Sequence, residues 1–376
     1  MSNNSCLLIA GEKSGEDHAL VFFSKIKEAD PTIQFFGVGG DELSKRGMEL
    51  IYHLKDFSSW GISEVIGKIP FYKKALKKIE DEVVLRNCKT AILVDFQGFN
   101  LRLAKRLKKK GVKVLYYVAP QVWVWKEHRA QILEKNVHTL YSILPFEKEW
   151  FEKREIKKVL SVSHPLLYGL EKFMAKKTKK DFRSIGRELK ILLLPGSRNS
   201  EVKLLLPEFY KALEILKGDY SLKISLVKSP NVSRNLYSDT ENFVDKVYTN
   251  DDLPAALMEA DFVLAASGTV TLACGLMGVP TVVSYKLSLL NEFLYNQIIS
   301  YKGPYSLPNI ILKKNVFPEL LQDRATGYNM AMEIKKWLLN EEYFGQTIRD
   351  LSEMENLLRY SEVDPAKHML GVIQHD

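Results

Sequence analysis

The sequence predicts an α/β protein of two Rossmann-like domains, whose parallel sheets face each other across a cleft, with a helical C-terminal tail. Short apolar runs alternate with amphipathic helical segments along most of the 376 residues. That alternation is typical of parallel sheets with helices on both faces. The alternation restarts after a polar, cationic stretch in mid-chain. The length also exceeds what one ordinary core needs and suits two domains.

The predicted elements give the domain boundaries. The first domain is predicted at 1–174, the linker at 175–188, the second domain at 189–340 and the helical tail at 341–376, whose return to the first domain is left open. Predicted strands are Cys6–Ala10, Ile33–Gly37, Thr90–Asp95, Lys113–Val118, Thr139–Leu144, Val159–Val162, Lys190–Leu194, Lys223–Val227, Phe262–Ala265 and Thr281–Ser284. Predicted helices include Ser14–Glu28, Phe99–Lys110, Lys126–Lys135, Ser200–Lys217, Leu253–Glu259 and Thr269–Met277.

Composition narrows the classes of function. The net charge of +8 attracts phosphate on a nucleotide, a nucleic acid or a membrane surface. We find neither a nucleic-acid-binding motif nor a targeting or membrane-spanning segment, so a cytoplasmic protein without a nucleic-acid partner is expected. The three cysteines, Cys6, Cys88 and Cys274, have no metal-ligand spacing and suit a reducing compartment. No cofactor and no metal are expected.

The first candidate loop opens the chain's first helix. Gly11 to Gly15 follow the first predicted strand, and ligands of open α/β sheets bind beyond the carboxyl ends of strands. Glycine lets the backbone approach a ligand, and the free N–H groups of a helix start favour an anion. Ser14 and Gly15 are therefore candidate ligand contacts, although a plain βα turn remains the alternative.

Asp95 is the candidate catalytic residue. It directly follows the uncharged run from Thr90 to Val94, and a carboxylate at a strand end is well placed to accept a proton from a hydroxyl nucleophile. The alternative is a helix N-cap for the segment that begins at Phe99.

Two loops of the second half are candidate phosphate sites. Ser197 and Arg198 follow Pro195-Gly196, and an arginine there can grip a diphosphate with two parallel hydrogen bonds. Ser267, Gly268 and Thr269 open a helix and form a candidate phosphate cradle. The alternatives are a surface arginine and ordinary helix capping.

Three further residues are candidates with structural alternatives. Trp123, in the run that ends at Trp125, can stack on a sugar or an acyl chain or belong to the core. His164 ends the last strand of the first half, where a lone histidine is as often structural. Asn309 follows Ser306-Leu307-Pro308 and can bind a substrate amide or hydroxyl, or serve only a turn.

An apolar patch fringed by lysines lies between Trp60 and Lys78. Its apolar members include Ile62, Val65, Ile66, Ile69 and Phe71, and its lysines are Lys68, Lys73, Lys74, Lys77 and Lys78. Such a patch suits the surface of an anionic bilayer, and a core-facing helix with a basic edge is the alternative.

Taken together, the motifs resemble the lipid-A-disaccharide synthase family, inverting glycosyltransferases of the two-domain GT-B architecture. They occur in the family's order from about Leu7 to Gln322: GEKSGEDHA (11–19), FGVGG (36–40), GISEVIG (61–67), VDFQGFN (94–100), YYVAPQVWVW (116–125), LPFE (144–147), HPL (164–166), LLPGSRNSEV (193–202), ASGTVTL (266–272) and YSLPN (305–309).

The resemblance implies the reaction. UDP-2,3-diacyl-glucosamine donates its sugar to the 6-hydroxyl of 2,3-diacyl-glucosamine 1-phosphate, giving a β-1,6 disaccharide phosphate and UDP in lipid A biosynthesis. It implies peripheral association with the inner membrane and admits a homodimer.

The resemblance also assigns the candidate residues. Asp95 matches the family's essential carboxylate. Ser14, Gly15, Trp123 and His164 are expected on the acceptor side. Ser197, Arg198, Ser267, Gly268, Thr269 and Asn309 are expected on the UDP side.

Departures from the family keep two alternatives open. Gly98 stands where the family carries a second acid, so Asp95 is expected to act without a second carboxylate, and Ala273 replaces a glutamate that is a candidate ribose contact. The alternatives are an isomerase related to UDP-sugar 2-epimerases and a non-catalytic relative that binds UDP or lipid.

Overall fold

The computed structural model describes residues 4–57, 67–123, 127, 129–177, 180–186, 188–286 and 303–375. The chain divides into two units. The first comprises Met1–Pro165 and Leu358–Asp376, and the second Leu166–Leu357. Each unit contains one parallel sheet, and the two units are described separately.

The sheet of the first unit has seven described strands in the order β3-β2-β1-β4-β5-β6-β7, and neighbouring strands are parallel throughout. The strands are β1 Ser5–Ala10, β2 Gln34–Gly39, β3 Glu49–His53, β4 Thr90–Val94, β5 Lys113–Tyr117, β6 Thr139–Ser142 and β7 Val159–Ser161. All residues of β1 and β4 are buried, as expected of parallel strands covered on both faces.

Helices cover this sheet. They are α1 Lys13–Ala29, α2 Asp41–Lys45, α3 Leu54–Phe57, α4 Ile69–Leu85, α5 Gln97–Lys109, α6 Arg129–Asn136 and α7 Glu147–Glu152. Helix α1 buries Ala19, Phe22, Phe23 and Ile26, whose three- and four-residue spacing puts them on one helix face.

The sheet of the second unit has six described strands in the order β10-β9-β8-β11-β12-β13. They are β8 Glu188–Leu194, β9 Ser221–Val227, β10 Lys246–Tyr248, β11 Phe262–Ala266, β12 Thr281–Tyr285 and β13 Glu319–Leu321. The helices from residue 166 onward are α8 Leu166–Met174, α9 Asn199–Lys217, α10 Thr240–Phe243, α11 Leu253–Glu259, α12 Val270–Leu276, α13 Leu307–Leu312, α14 Gly327–Leu339, α15 Glu341–Arg359 and α16 Pro365–Gln374.

The last helix belongs to the first unit. Helix α16 packs on α1, the Tyr141 hydroxyl and His368 Nδ1 are 2.7 Å apart, and Lys25 pairs with Asp364. The His164 backbone N–H donates to the carbonyl of Leu358. The chain therefore returns to its first unit near the end of α15.

The predicted fold class is confirmed: both units are parallel α/β structures and the C-terminal end is helical. Three short strands, β3, β10 and β13, were not predicted. The stretch predicted as a linker lies within the second unit, where Lys180 Nζ donates to the Ala260 carbonyl and Lys177 Nζ donates to the Leu276 carbonyl. Among the described helices, none is long and apolar enough to cross a membrane.

Candidate functional site

In the first unit, sheet register brings the candidate loops to one edge. Ala10 is paired with Val94, and Val94 with Tyr117, so these three strands end side by side. Gly11, Asp95 and Val118 therefore follow neighbouring strands at the carboxyl edge, where parallel sheets bind ligands.

The turn at Asp95 has an uncommon backbone conformation. Asp95 and Phe96 have φ angles of 44° and 45°. Such left-handed conformations persist in residues other than glycine only where the surroundings hold them, and they cluster at functional sites. Here the Asn100 side-chain amide donates to the carbonyls of Val94 and Asp95 at 3.1 and 2.8 Å, and the Tyr116 hydroxyl donates to the Asp95 carbonyl at 2.7 Å.

The Asp95 carboxyl group is poised to exchange a proton near neutral pH. Burial, and next the negative charge of Glu12, raise its pKa to about 6. Burial also raises the pKa of Glu12. A second carboxylate therefore acts on Asp95, which corrects the expectation that Gly98 leaves Asp95 without one: the acid comes from the first loop.

The first loop is fixed by a buried acid. Glu16 Oε1 accepts the N–H groups of Glu42 and Leu43 at 3.1 Å each, and Oε2 accepts Lys13 Nζ at 2.9 Å. Ser14 is exposed in the first turn of α1, and Gly15 is buried. A Cβ on Gly11 would lie 2.7 Å from the Phe96 ring, so only glycine fits beside the Asp95 turn.

His164 lies inside the first unit. Its side chain is buried, and its ring centroid is 6.3 Å from that of His18. Burial, helped by His18, lowers the pKa of His164 to about 3, and burial lowers that of His18 to about 4. Both imidazoles are thus neutral at pH 7. This favours the structural alternative for His164 over direct contact with an acceptor.

Trp123 is half-buried at the same edge of the first sheet. Its Nε1 donates to Glu147 Oε1 at 3.1 Å, and its ring meets Phe146 edge to face at 5.0 Å between centroids. Trp125 lies outside the described residues.

The patch predicted for a membrane is described in part. Ile62, Val65 and Ile66 lie outside the described residues. Ile69 is 45% exposed at the start of α4, and Phe71 is half-buried against Tyr52 and Phe57.

In the second unit, Glu201 shapes the loop that carries Arg198. Its Oε2 accepts the N–H groups of Ser197 and Arg198, and its Oε1 pairs with Arg198 Nη1 at 2.7 Å. Gly196 has a φ of 110°, and a Cβ there would lie 2.4 Å from Glu201 Oε2. The Arg198 side chain is 69% exposed, so its guanidinium can reach a ligand.

Ser267, Gly268 and Thr269 follow β11 at the same edge. The Ser267 N–H donates to the Ser284 carbonyl, and the Thr269 side chain makes no capping hydrogen bond to α12. The Thr269 hydroxyl therefore does not cap helix α12. Ala273 is buried within α12.

Asn309 is turned into the protein. It is fully buried, its Nδ2 donates to the Phe317 carbonyl and to Glu319 Oε1, and its Oδ1 accepts the Phe317 N–H. Glu319 also accepts the N–H groups of Tyr305 and Ser306. This favours the turn-forming alternative for Asn309, which holds the SLPN segment.

Asn309→Ala is expected to lower the free energy of unfolding of the second unit by about 2–3 kcal/mol, because it leaves the Phe317 amide and carbonyl without buried partners. Urea unfolding measures the loss. A variant with wild-type stability and a raised KM for the donor would contradict this and restore direct ligand contact.

Sequence reasoning missed the residues that shape these loops. Glu12, Glu147 and Glu201 each lie in a motif, Asn100 closes one, and Glu319 lies ten residues beyond the last of them. Their only signal was an acid or amide among glycine and apolar residues. Among the described residues, no group of three or more histidine, cysteine or acidic side chains is arranged to hold a metal.

Residues 6–369 match the model of the family described as lipid-A-disaccharide synthetase. The chain is 32% identical to a lipid-A-disaccharide synthase of Myxococcus xanthus, covering 94% of this chain and 92% of that protein. It is 33% identical to one of Nitrosococcus oceani, covering 91% and 89%.

Solved structures share the fold at low sequence identity. A putative UDP-N-acetylglucosamine 2-epimerase of Listeria monocytogenes has a TM-score of 0.60 at 11% identity, covering 94% of this chain and 93% of that chain. A ugt transferase of Siraitia grosvenorii, solved with UDP, has a TM-score of 0.60 at 10% identity, covering 99% of each. These likenesses concern the fold alone.

Proposed function

The chain belongs to the lipid-A-disaccharide synthase family, and from this premise we propose which substrates it takes and how its residues act. It is a glycosyltransferase. The donor is UDP-2,3-diacyl-glucosamine, the acceptor is 2,3-diacyl-glucosamine 1-phosphate, and the product is a β-1,6 disaccharide phosphate of lipid A biosynthesis. The second unit binds the UDP moiety, and the first unit binds the acceptor.

The reaction is a single displacement with inversion. The acceptor's 6-oxygen forms a bond to the anomeric carbon of the donor while its proton passes to the Asp95 carboxylate. The bond between the anomeric carbon and the diphosphate oxygen breaks, and UDP leaves with that electron pair. General-base assistance of this kind accelerates a reaction roughly 10²–10⁴-fold.

The observation that carries this proposal is the Asp95 turn. A pKa raised to about 6 makes the carboxylate a stronger proton acceptor than an ordinary aspartate, yet leaves it ionised at pH 7. The left-handed turn and its bonds from Asn100 and Tyr116 hold it at the sheet edge.

Arg198 and the loop 267–269 stabilise the leaving diphosphate. The exposed guanidinium supplies positive charge and paired donors, and the loop supplies hydroxyl and N–H donors where negative charge develops. Asn309 contributes by holding the SLPN segment through Glu319.

The experiment that tests the proposal uses the purified protein, both substrates and detergent. UDP release and a disaccharide of the expected mass are the supporting result. Conversion of the UDP-sugar in the absence of acceptor would instead identify the epimerase-like isomerase. Calorimetric UDP binding without turnover would identify a non-catalytic relative.

Membrane association is a second part of the proposal, because both substrates carry acyl chains. Helix α4 has an exposed Ile69 at its start and the lysines Lys73, Lys74, Lys77 and Lys78. The neighbouring α5 contains five lysine or arginine residues and no acid. Apolar and basic groups together suit an anionic bilayer surface at the inner membrane.

Lys73→Gln with Lys74→Gln is expected to weaken binding to phosphatidylglycerol vesicles roughly 10- to 30-fold, since a lysine near such a surface contributes about 1 kcal/mol. Vesicle co-sedimentation measures the change. Lys157→Gln with Lys203→Gln, also at exposed positions, is the matched control. Equal binding to the vesicles by both double variants would contradict this surface.

Light scattering of the purified protein, in the detergent used for the activity assay, tests whether the chain forms the homodimer.

A further inference from the structure

Glu147 is a buried carboxylate that the proposed reaction does not use. It is the last residue of the LPFE motif and the first of α7, and its side chain is fully buried. A buried carboxylate is costly unless several donors satisfy it, so the groups around it show what it holds.

Among the described residues, the groups that face Glu147 are uncharged, and most of them are N–H donors. The Trp123 indole N–H donates to Oε1 at 3.1 Å, and the Leu144 N–H donates to Oε2 at 3.2 Å. The Ile143 N–H also faces it, as does the Ser142 hydroxyl, whose hydrogen is donated to the Leu144 carbonyl. The next residues of α7, Lys148 and Glu149, pair instead with Glu362 and Lys153.

The Trp123 ring is held on a second side. Phe146 meets it edge to face, with an interplanar angle of 84°. The chain reaches Trp123 from Val118, whose φ of 67° is rare for a β-branched residue. The Ala119 N–H is tied to the Tyr141 carbonyl. Phe146 and Glu147 thus hold the half-buried Trp123 indole in place at the carboxyl edge of the first sheet, where Asp95 also lies.

We propose that Glu147 is a positioning residue that clamps Trp123 through the indole N–H and so sets affinity for the sugar acceptor. The consequence for the acceptor rests on the proposed function; the clamp itself does not. An indole fixed in one orientation presents a rigid apolar face to a sugar ring or acyl chain. Phe146 and Glu147 of LPFE therefore form one structural unit with Trp123, although the two motifs are separated in sequence.

The donors around Glu147 match an ionised carboxylate, which only accepts hydrogen bonds. Protonation of Glu147 adds an O–H donor that faces the N–H donors of Trp123, Leu144 and Ile143. Burial raises the pKa of Glu147 to about 7. The clamp is therefore complete above pH 7 and weakens as the pH falls through that value.

Glu147→Gln tests the clamp, because its amide N–H₂ sets a donor against a donor at every pH. We expect the KM for acceptor to rise about tenfold at pH 8, with kcat and the donor KM within twofold of wild type. In wild type the acceptor KM should rise as the pH falls through about 7, whereas in the variant it should be flat. Glu149→Gln, an exposed acid on the same helix, is the matched control.

Trp123→Phe removes the indole N–H and allows a double-mutant cycle. The double variant should be no worse than Trp123→Phe alone, because the two groups act through one bond. Additive effects, or a wild-type acceptor KM in Glu147→Gln, would overturn the proposal. A fall in kcat with an equal rise in KM, both in proportion to a lower melting temperature, would also overturn the proposal, because it would indicate a merely structural role.

A readout without turnover separates this proposal from the proposed function. The difference between the emission spectra of wild type and Trp123→Phe isolates the Trp123 signal. It should shift with a midpoint near pH 7, and the shift should be absent when the same difference is taken in the Glu147→Gln background. If wild type makes no disaccharide yet shows this shift, the proposed function is wrong and the clamp is supported. A Trp123 signal that is independent of pH and of Glu147 refutes the clamp.

Discussion

Asp95→Asn is expected to lower kcat by about 10²–10⁴-fold, because the amide cannot accept the proton of the attacking hydroxyl. Donor binding should survive, since the diphosphate contacts that we propose lie in the second unit. Steady-state kinetics and UDP calorimetry measure the two effects. Asp81→Asn, which removes an exposed acid that pairs with Lys77 on α4, is the matched control. Near-normal turnover in Asp95→Asn would remove Asp95 from the mechanism.

The pH profile follows from the same carboxyl group. Its pKa of about 6 predicts that kcat at saturating acceptor falls as the pH drops through 6 and is level above it. Asp95→Asn should abolish this limb of the profile.

The free energy of unfolding should change with pH in the direction opposite to turnover. The pKa of Asp95 is above its ordinary value of 3.8, so the folded state binds this proton more tightly than the unfolded state. Ionisation therefore destabilises the fold as the pH rises from about 4 to 6, and the penalty is fully present at pH 7. Asp95→Asn should raise the free energy of unfolding at pH 7 by about 3 kcal/mol and change it little below pH 4.

Arg198→Ala is expected to lower kcat/KM for the donor by about 10²–10³-fold, the usual loss when one preorganised donor to a developing oxyanion is removed. Arg198→Lys should recover only part of it, because an ammonium keeps the charge but not the paired geometry.

Lys203→Ala is the control for Arg198, since it removes an exposed cation from the first turns of the same helix, α9. Kinetics with varied donor distinguish the variants. If Arg198→Ala and Lys203→Ala behave alike, the loop after β8 does not bind the diphosphate.

The fold was predictable because its signals are local. Buried parallel strands such as Ser5–Ala10 and Thr90–Val94 are continuous apolar runs, and α1 has a clear helical spacing. The missed strands Lys246–Tyr248 and Glu319–Leu321 are three residues long, too short for any pattern to show. Glu49–His53 is only partly buried and its apolar run, Leu50 to Tyr52, has three residues, shorter than the runs of the central strands.

The sequence predicted loops at the carboxyl ends of the strands but not which acids hold them. Glu16 bonds to backbone 26 residues away and Glu147 to Trp123, 24 residues away. Such partners are set by sheet order, which no local pattern encodes. For the same reason His164 and Asn309 were predicted as contacts from their positions after a strand and a turn, whereas their burial depends on the packing of distant elements.

The return of the chain to its first unit bears on how the protein is made. Translation completes residues 1–165 well before α16, which lies against α1 and is joined to the first unit through Asp364 and His368. The half that holds Asp95 therefore leaves the ribosome with the α1 surface uncovered, while the second unit is complete as soon as Leu357 emerges. Vectorial synthesis thus completes the second unit before the first, so a ribosome-bound nascent chain has no complete first unit before α16 is translated.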